Sequence, residues 1–259
     1  MILDAVQLRD LGMAVFAAAG VPEAAAASVV DALVLAELDG LPSHGFSRIP
    51  FYTDQALSGK VNAAAVPQVS TPAPASVLVD AGNGFAFPAI QAGLERAVPL
   101  AKRYGVAVLG VTRSHHCGVV GLYAERLAGE GLLSLIFSNT PAAMAPWGGS
   151  RASFGTNPLA FGCPREGRHP LVIDLSLSKV ARGKIMAARQ RGESIPEGWA
   201  LDAQGRPATD PAAALGGTMI PVGDAKGSAL ALMVEILAAA LTGANYAFEA
   251  SSFFEAEGP

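Results

Sequence analysis

Within residues 43–52 the chain places a hydroxyl at Ser43, an imidazole at His44, a guanidinium at Arg48 and a phenol at Tyr52. An imidazole moves protons near neutral pH, and a guanidinium holds a carboxylate through two parallel hydrogen bonds in a fixed fork. That set suits proton-coupled chemistry on a small carboxylic acid. The chain has four histidines, and two of the others are adjacent, as His115-His116, so imidazole is concentrated rather than scattered. A competing reading is a serine that caps a helix beside a surface histidine, with a surface arginine and a half-buried tyrosine. The residues alone leave both open.

The elements that must position these groups follow from periodicity and from proline and glycine marks. Helices are expected over 5–19, closed by Gly20, and from Pro22 to the stop at Gly40. Pro50 is tolerated only in the first turn of a helix, so a third is expected over 47–57. Arg48 and Tyr52 then share one helical face, with His44 in the turn before it. From residue 76 the character changes to strand-then-helix alternation. Strands are expected over 77–79, 106–111, 132–137, 159–162 and 171–174, those at 106–111 and 171–174 as buried ones. Helices are expected over 87–104, 118–128 and 226–241. The stretch 192–217, rich in Gly, Pro and Asp, is expected to hold little regular structure. The fold class is α/β, with an N-terminal helical segment over 1–72 and an α/β domain over 73–259.

Other stretches carry polar groups at turns. Ser114-His115-His116-Cys117-Gly118 lies between a strand and a helix, where free backbone N–H groups hold anions, or where a turn simply caps the helix. A zinc site is set aside there, because no Cys or His lies at a partner spacing. Phe154-Gly155-Thr156-Asn157-Pro158 reads as the polar wall of a pocket or as an ordinary turn. Asp174 to Ser178 ends a strand with a carboxylate and two hydroxyls, suited to cofactor sugar or amide groups. Residues 223–228, Gly-Asp-Ala-Lys-Gly-Ser before a helix, offer a place for phosphate. Dinucleotide and mononucleotide signatures of the usual kind are missing: there is no Gly-x-Gly-x-x-Gly after a strand and no Gly-Lys-Ser order, nor a Gly-x-Ser-x-Gly elbow.

Composition narrows the partners. A net charge of −4 provides no basic field for nucleic acid or anionic lipid. Asp4, Arg9 and Asp10 break any signal-like start, and the apolar stretch 229–241 is interrupted by Glu235 and too short for a bilayer. A cytoplasmic protein is expected. Cys117 and Cys163 lie outside any Cys-x-x-Cys spacing and read as reduced thiols in small buried side chains.

Taken together, Ser43-His44-Gly45 with Arg48-Ile49-Pro50 and Tyr52, Ser114-His115-His116, residues 154–158, Val172-Ile173-Asp174 and 221–227 resemble the malate/L-lactate dehydrogenase family. Its members are unrelated to the ordinary Rossmann dehydrogenases and include sulfolactate dehydrogenases and the cyclic-imine reductases for piperideine- and pyrroline-2-carboxylate. The resemblance covers nearly the whole chain and implies hydride transfer between NAD or NADP and the carbon next to a carboxylate, in a homodimer with a non-Rossmann cofactor domain. By resemblance His44, Ser43 and His116 are catalytic, with His44 the proton donor in reduction and His116 near the nicotinamide. Arg48, Tyr52, Thr156 and Lys184 would bind substrate, and His116, Cys117, Gly118, Asn139, Asp174, Leu175, Ser176, Ser178, Gly223 and Lys226 would bind the cofactor, with no metal. Lys184 matches the hydroxyacid branches, whereas the imine-reductase branch carries an acid there. Stretches 216–219 and 250–254 look closest to sulfolactate-type members, while the His115-His116 pair is also familiar from imine reductases. The resemblance further implies family sequence continuing past Pro259.

Overall fold

The computed structural model describes residues 3–259. Helix α1 (Ala5–Ala18) opens on a capping box, in which the Asp4 carboxylate accepts from the Gln7 backbone N–H and the Gln7 side chain accepts from that of Asp4. Helix α2 (Glu23–Leu38) starts directly after Pro22 and packs against α1. Two short 3-10 turns, Pro42–His44 and Phe46–Arg48, lead into α3 (Ile49–Ser58), which carries Pro50 in its first turn and ends at the left-handed Gly59. Phe16, Val29, Val30 and Leu33 are buried with Ile49 and Tyr52 of α3 and with Phe85 and Phe87. The apolar core therefore fixes α3, and α3 fixes Tyr52.

Strands β1 (Gln68–Ala73), β2 (Ser76–Gly84) and β3 (Val108–Ser114) form a sheet in that order. β1 pairs antiparallel with β2, and β2 pairs parallel with β3 through the crossover helix α4 (Ala86–Tyr104). α4 lies so close to the sheet that a Cβ on Gly93 would come within 2.6 Å of Leu109 Cδ1 and 3.0 Å of Val79 Cγ2. A side chain larger than hydrogen there would lift the helix off Val77 and Val79. β1 was not legible in the sequence, because all six of its residues are exposed and leave no apolar alternation to read.

Helix α5 (Val120–Gly129) precedes a second sheet, with β4 (Ser134–Phe137), β5 (Leu159–Cys163) and β6 (Leu171–Leu175) in the order β4-β5-β6. The expectation of buried strands at 106–111 and 171–174 is corrected here. β3 is an edge strand with one buried residue, and on β6 Leu171, Ile173 and Leu175 are each more than 40% exposed, at 43%, 43% and 42%. β-branched and apolar composition marks strand conformation, but burial depends on what covers the strand.

Residues 192–217 are also more ordered than expected. After α6 (Arg182–Arg191), strands β7 (Ala200–Leu201) and β8 (Pro207–Ala208), helix α7 (Pro211–Leu215) and β9 (Thr218–Met219) make a small antiparallel sheet in the order β8-β7-β9. Strands of two residues are too short to show a period, yet Ala200, Ala208, Ala214 and Met219 join a core with Met144, Leu177, Ile185 and Val234. Helix α8 (Ala225–Glu235) then widens into a π-helical turn, Ile236–Ala240.

By compactness the chain divides into one unit of Met1–Ser134, Phe161–Val172 and Phe253–Pro259, and another of Leu135–Ala160 and Ile173–Ser252. Among the described residues no sheet exceeds three strands, so the architecture is α/β without an extended doubly wound sheet.

Candidate active site

In the first unit the structure gathers Ser43, His44, Arg48, Tyr52 and His116. Ser43 Oγ lies 3.0 Å from His44 Nδ1, which occupies that ring nitrogen and leaves Nε2 to meet a ligand. Arg48 donates its Nε–H to the Ser43 carbonyl at 2.7 Å, so the guanidinium is tied to the same turn while its terminal nitrogens remain for an anion. The His44 and His116 rings stack at 5.8 Å with a 28° tilt. Tyr52, fully buried, places its hydroxyl 2.5 Å from His116 Nδ1. His116 is therefore held by a tyrosine 64 positions earlier in the chain.

Three features of this cluster escaped sequence reasoning. His115 sits edge-on to Tyr52, Phe85 and Phe253 at 5.0–6.0 Å, with both ring nitrogens buried and unpartnered among the described residues. Phe253 packs against His116 at 4.7 Å between ring centroids. Phe254 lies under the Arg48 guanidinium, 4.9 Å from its carbon. An aromatic pair in an otherwise polar stretch, residues 249–258, was the signal available, but a pair alone does not say what it touches.

Burial favours the neutral form of the three clustered histidines. His44 is pushed down to about 4 by burial and then by the Arg48 charge. His115 falls to about 3 through burial, with Lys60 and Arg48 adding to it. His116 lies well below its ordinary value, mainly from burial, with Arg48 next. Burial raises the Tyr52 phenol and lowers the Arg48 guanidinium.

In the unfolded chain each imidazole titrates near ~6.5, so between that pH and the lowered folded values the unfolded state binds more protons. Stability is then full above ~6.5 and falls as pH descends toward 4. The urea midpoint is expected to drop between about pH 7 and about pH 4.5, with a proton-linkage slope that His115→Phe reduces by about one proton. A midpoint indifferent to pH over that interval would refute the buried neutral histidines.

In the second unit a ladder joins segments that the sequence left apart. Val222 N–H donates to Leu177 O at 2.8 Å and Lys179 N–H to Ile220 O at 2.8 Å, while Leu177 N–H donates to Thr156 O at 2.7 Å. Leu175, Ser176 and Ser178 are thereby brought beside the turn of Gly223 and Lys226 and beside Thr156. Ser178 is buried, with its hydroxyl donated to Val180 O at 2.9 Å, and Ser176 Oγ lies 3.2 Å from Ser178 Oγ. Thr156 is held to Thr140, whose Oγ1 accepts from its backbone N–H at 2.9 Å. Gly223 and Asp224 both have positive φ, and α8 begins with no side-chain cap, next to the exposed Lys226. A Cβ on Gly227 would fall on the Val222 carbonyl, so this turn is closed by backbone against backbone.

Asn139 and Asn157 meet a buried carboxylate that sequence reasoning did not single out. Asn157, fully buried at φ 41°, donates Nδ2–H to Glu235 Oε1 at 2.8 Å and to Ala231 O at 3.1 Å. Glu235 Oε2 accepts from Ala247 N–H at 3.2 Å and from Asn139 Nδ2 at 3.4 Å. Lys184, near the start of α6, borders a hollow of about 240 Å³ with Arg191, Glu193 and Trp199, and no other expected site residue lines it. Asp174 is the next-to-last residue of the mostly exposed β6. Back in the first unit, Cys117 and Gly118 lie in the loop before α5, where Tyr123 donates its hydroxyl to Cys117 O at 2.8 Å and Gly118 N–H points at His116 Nδ1 at 3.4 Å. Neither Cys117 nor Cys163 is in a disulfide, and both are partly rather than fully buried. No group of metal-ligating side chains is found among the described residues.

The family model for malate/L-lactate dehydrogenase matches residues 3–259. A (2R)-3-sulfolactate dehydrogenase (NADP(+)) of Chromohalobacter salexigens is 59% identical over 252 residues, covering 97% of this chain and 75% of that protein. A Delta(1)-pyrroline-2-carboxylate/Delta(1)-piperideine-2-carboxylate reductase of Pseudomonas putida is 42% identical over 244 residues, 94% of this chain and 72% of the relative. Among solved structures, delta1-piperideine-2-carboxylate reductase from Pseudomonas syringae pathovar tomato matches with TM-score 0.94 and 40% identity, over 97% of this chain and 76% of that one. Sulfolactate dehydrogenase from Methanocaldococcus jannaschii matches with TM-score 0.91 and 34% identity, over 99% and 74%. The chain belongs to the malate/L-lactate dehydrogenase family.

Proposed function

We propose that this protein is an NAD(P)-dependent oxidoreductase that interconverts a small 2-oxo acid and its 2-hydroxy acid, of the sulfolactate, malate or lactate type. The observation that carries the reading is the meeting of His44, Arg48, Tyr52 and His116 in one cluster. Its resemblance to the (2R)-3-sulfolactate dehydrogenase (NADP(+)) supports sulfolactate as the first acid to try and NADP as the first cofactor.

The second unit by itself has residues that fit the phosphate of a dinucleotide. In the second unit the uncapped N-terminus of α8, the positive-φ turn at Gly223-Asp224 and the Lys226 ammonium suit a phosphate, and Leu175, Ser176 and Ser178 are neighbours of that turn. In the first unit His116, with Nδ1 engaged by Tyr52, keeps Nε2 for a ligand. When bound, NAD(P)H supplies the hydride.

The chain's own residues handle the acid and the proton. Arg48 holds the substrate carboxylate in its terminal fork. His44 Nε2 gives a proton to the carbonyl oxygen in reduction and takes it from the hydroxyl in oxidation. Ser43 fixes the ring through Nδ1. Because the Arg48 charge is the second cause of His44's low value, a carboxylate seated on Arg48 removes part of the depression and readies the imidazole to carry a proton.

A second reading, reduction of a cyclic imino acid, has its own support in the likeness to the piperideine-2-carboxylate reductase structure and in the His115-His116 pair. Lys184 speaks for the hydroxyacid. We also infer a cytoplasmic homodimer, with substrate residues over 1–72 and dinucleotide residues over 73–259. No helix of the described residues is long and apolar enough to cross a membrane.

The test has two arms. Titration with NADPH and NADH, followed by cofactor fluorescence, is expected to show saturable binding. A panel of 2-oxo acids set against piperideine-2-carboxylate is expected to show turnover of an oxo acid. Binding without turnover of any of them would leave an inactive nucleotide-binding protein and end the reading.

A further inference from the structure

The segment Phe253–Glu257 has no helix or strand of its own and is held by side chains of α3 and the turn after it. Gln55 is fully buried and donates Nε2–H to Phe253 O at 3.0 Å and to Glu255 O at 2.8 Å. Ser58 donates its hydroxyl to Ala256 O at 2.5 Å, and Lys60 Nζ donates to Glu255 O and Glu257 O at 3.1 and 3.3 Å. One amide thus pins the carbonyls on both sides of Phe254. The two acceptors are backbone oxygens, so only the –NH2 end of Gln55 can face them, and its Oε1 has no partner among the described residues.

What the pinned segment carries is the aromatic floor of the cluster. Phe254 lies 4.9 Å under the Arg48 guanidinium and edge-on to Phe51 at 5.2 Å, while Phe253 packs on His115 and His116. Arginine is long and flexible, and one hydrogen bond from Nε to Ser43 O leaves its plane free to turn. A ring beneath the flat face removes that freedom and attracts the cation. A guanidinium held in one plane loses less entropy when it grips a carboxylate.

We propose that Gln55 is a positioning residue of the reaction: through the Phe253–Glu255 carbonyls it seats Phe254 beneath Arg48 and so sets the plane in which the guanidinium receives the substrate carboxylate. The proposal rests on the reading that Arg48 holds that carboxylate.

The test is a double-substitution cycle on the full chain, with (2R)-3-sulfolactate and NADP. Phe254→Leu is expected to raise KM about tenfold while kcat stays within about twofold, and Phe254→Tyr is expected to restore most of the loss. Gln55→Leu should raise KM by a similar factor, and Gln55→Leu with Phe254→Leu should do no more than either alone, because one acts through the other. Phe254 is 45% exposed, so its substitution tests the floor even if Gln55→Leu fails to fold. A lower melting temperature with KM unchanged, or effects that multiply in the double variant, overturns the proposal. Arg48→Lys separates the two levels: if it leaves KM unchanged, the carboxylate reading itself falls. If Arg48→Lys raises KM and Phe254→Leu does not, only the positioning role is lost.

Discussion

Replacing His44 with alanine is expected to lower kcat by roughly 10²–10⁴-fold, the usual worth of a positioned proton carrier, while NADPH still binds with near-normal affinity. The imidazole is held by Ser43 and lies within the field of the Arg48 charge, a place suited to a substrate oxygen, and the groups assigned to phosphate lie in the second unit. Its low value also fixes the sign of the pH dependence. Oxidation of the hydroxy acid needs neutral His44 in the free enzyme, so kcat/KM should hold as pH falls and drop only near 4. Reduction needs the protonated form, so kcat/KM should decline as pH rises above that point. Burst-free steady-state kinetics in both directions, with fluorescence titration of the variant, decide the matter. If His44→Ala turns over normally, the acid role moves to His116.

Glu235→Leu is expected to give the largest loss of stability, about 2–5 kcal/mol, because removing one partner takes the acceptor from two buried donors at once, the Asn157 amide and the Ala247 N–H. The Glu235 carboxylate accepts from Asn157, Asn139 and the Ala247 backbone, and it is 3% exposed. Asn157 is held at φ 41°, a conformation that costs energy and persists only while its side chain is anchored. Leucine fills the volume but offers no acceptor, so the 154–158 loop and the π-helical turn after α8 should loosen together. Urea unfolding gives the free-energy change, and hydrogen exchange at Asn157 and Ala247 locates it. A loss below about 1 kcal/mol would mean that water serves these donors as well as the carboxylate does.

The helices that carry the chemistry were legible because their signals are local. Asp4 with Gln7, Pro22, Pro50 and Gly59 act within one turn, and the ends of α1, α2 and α3 came within a few residues of expectation. The helix holding Tyr52 was legible for the same reason, although Arg48, expected inside it, stands in the 3-10 turn just before α3. β1 and the sheet of β7, β8 and β9 were not, because exposed or two-residue strands take their pairing from neighbours and carry no period.

By itself the sequence determined which chemical groups exist and which of them share a turn or a helix face: Ser43 with His44 and Arg48, Arg48 with Tyr52, and a family pattern spread over nearly the whole chain. Only the tertiary structure decided that Tyr52 meets His116, 64 positions on, that Gln55 grips the Phe253 carbonyl, 198 positions on, and that Asn157 finds Glu235, 78 positions on. Backbone preferences and caps act over a few residues. Contacts between distant residues are chosen by the burial of Phe16, Leu33, Tyr52 and Phe85 in one core and of Met144, Leu177 and Val234 in another, and the polar groups go where those cores carry them.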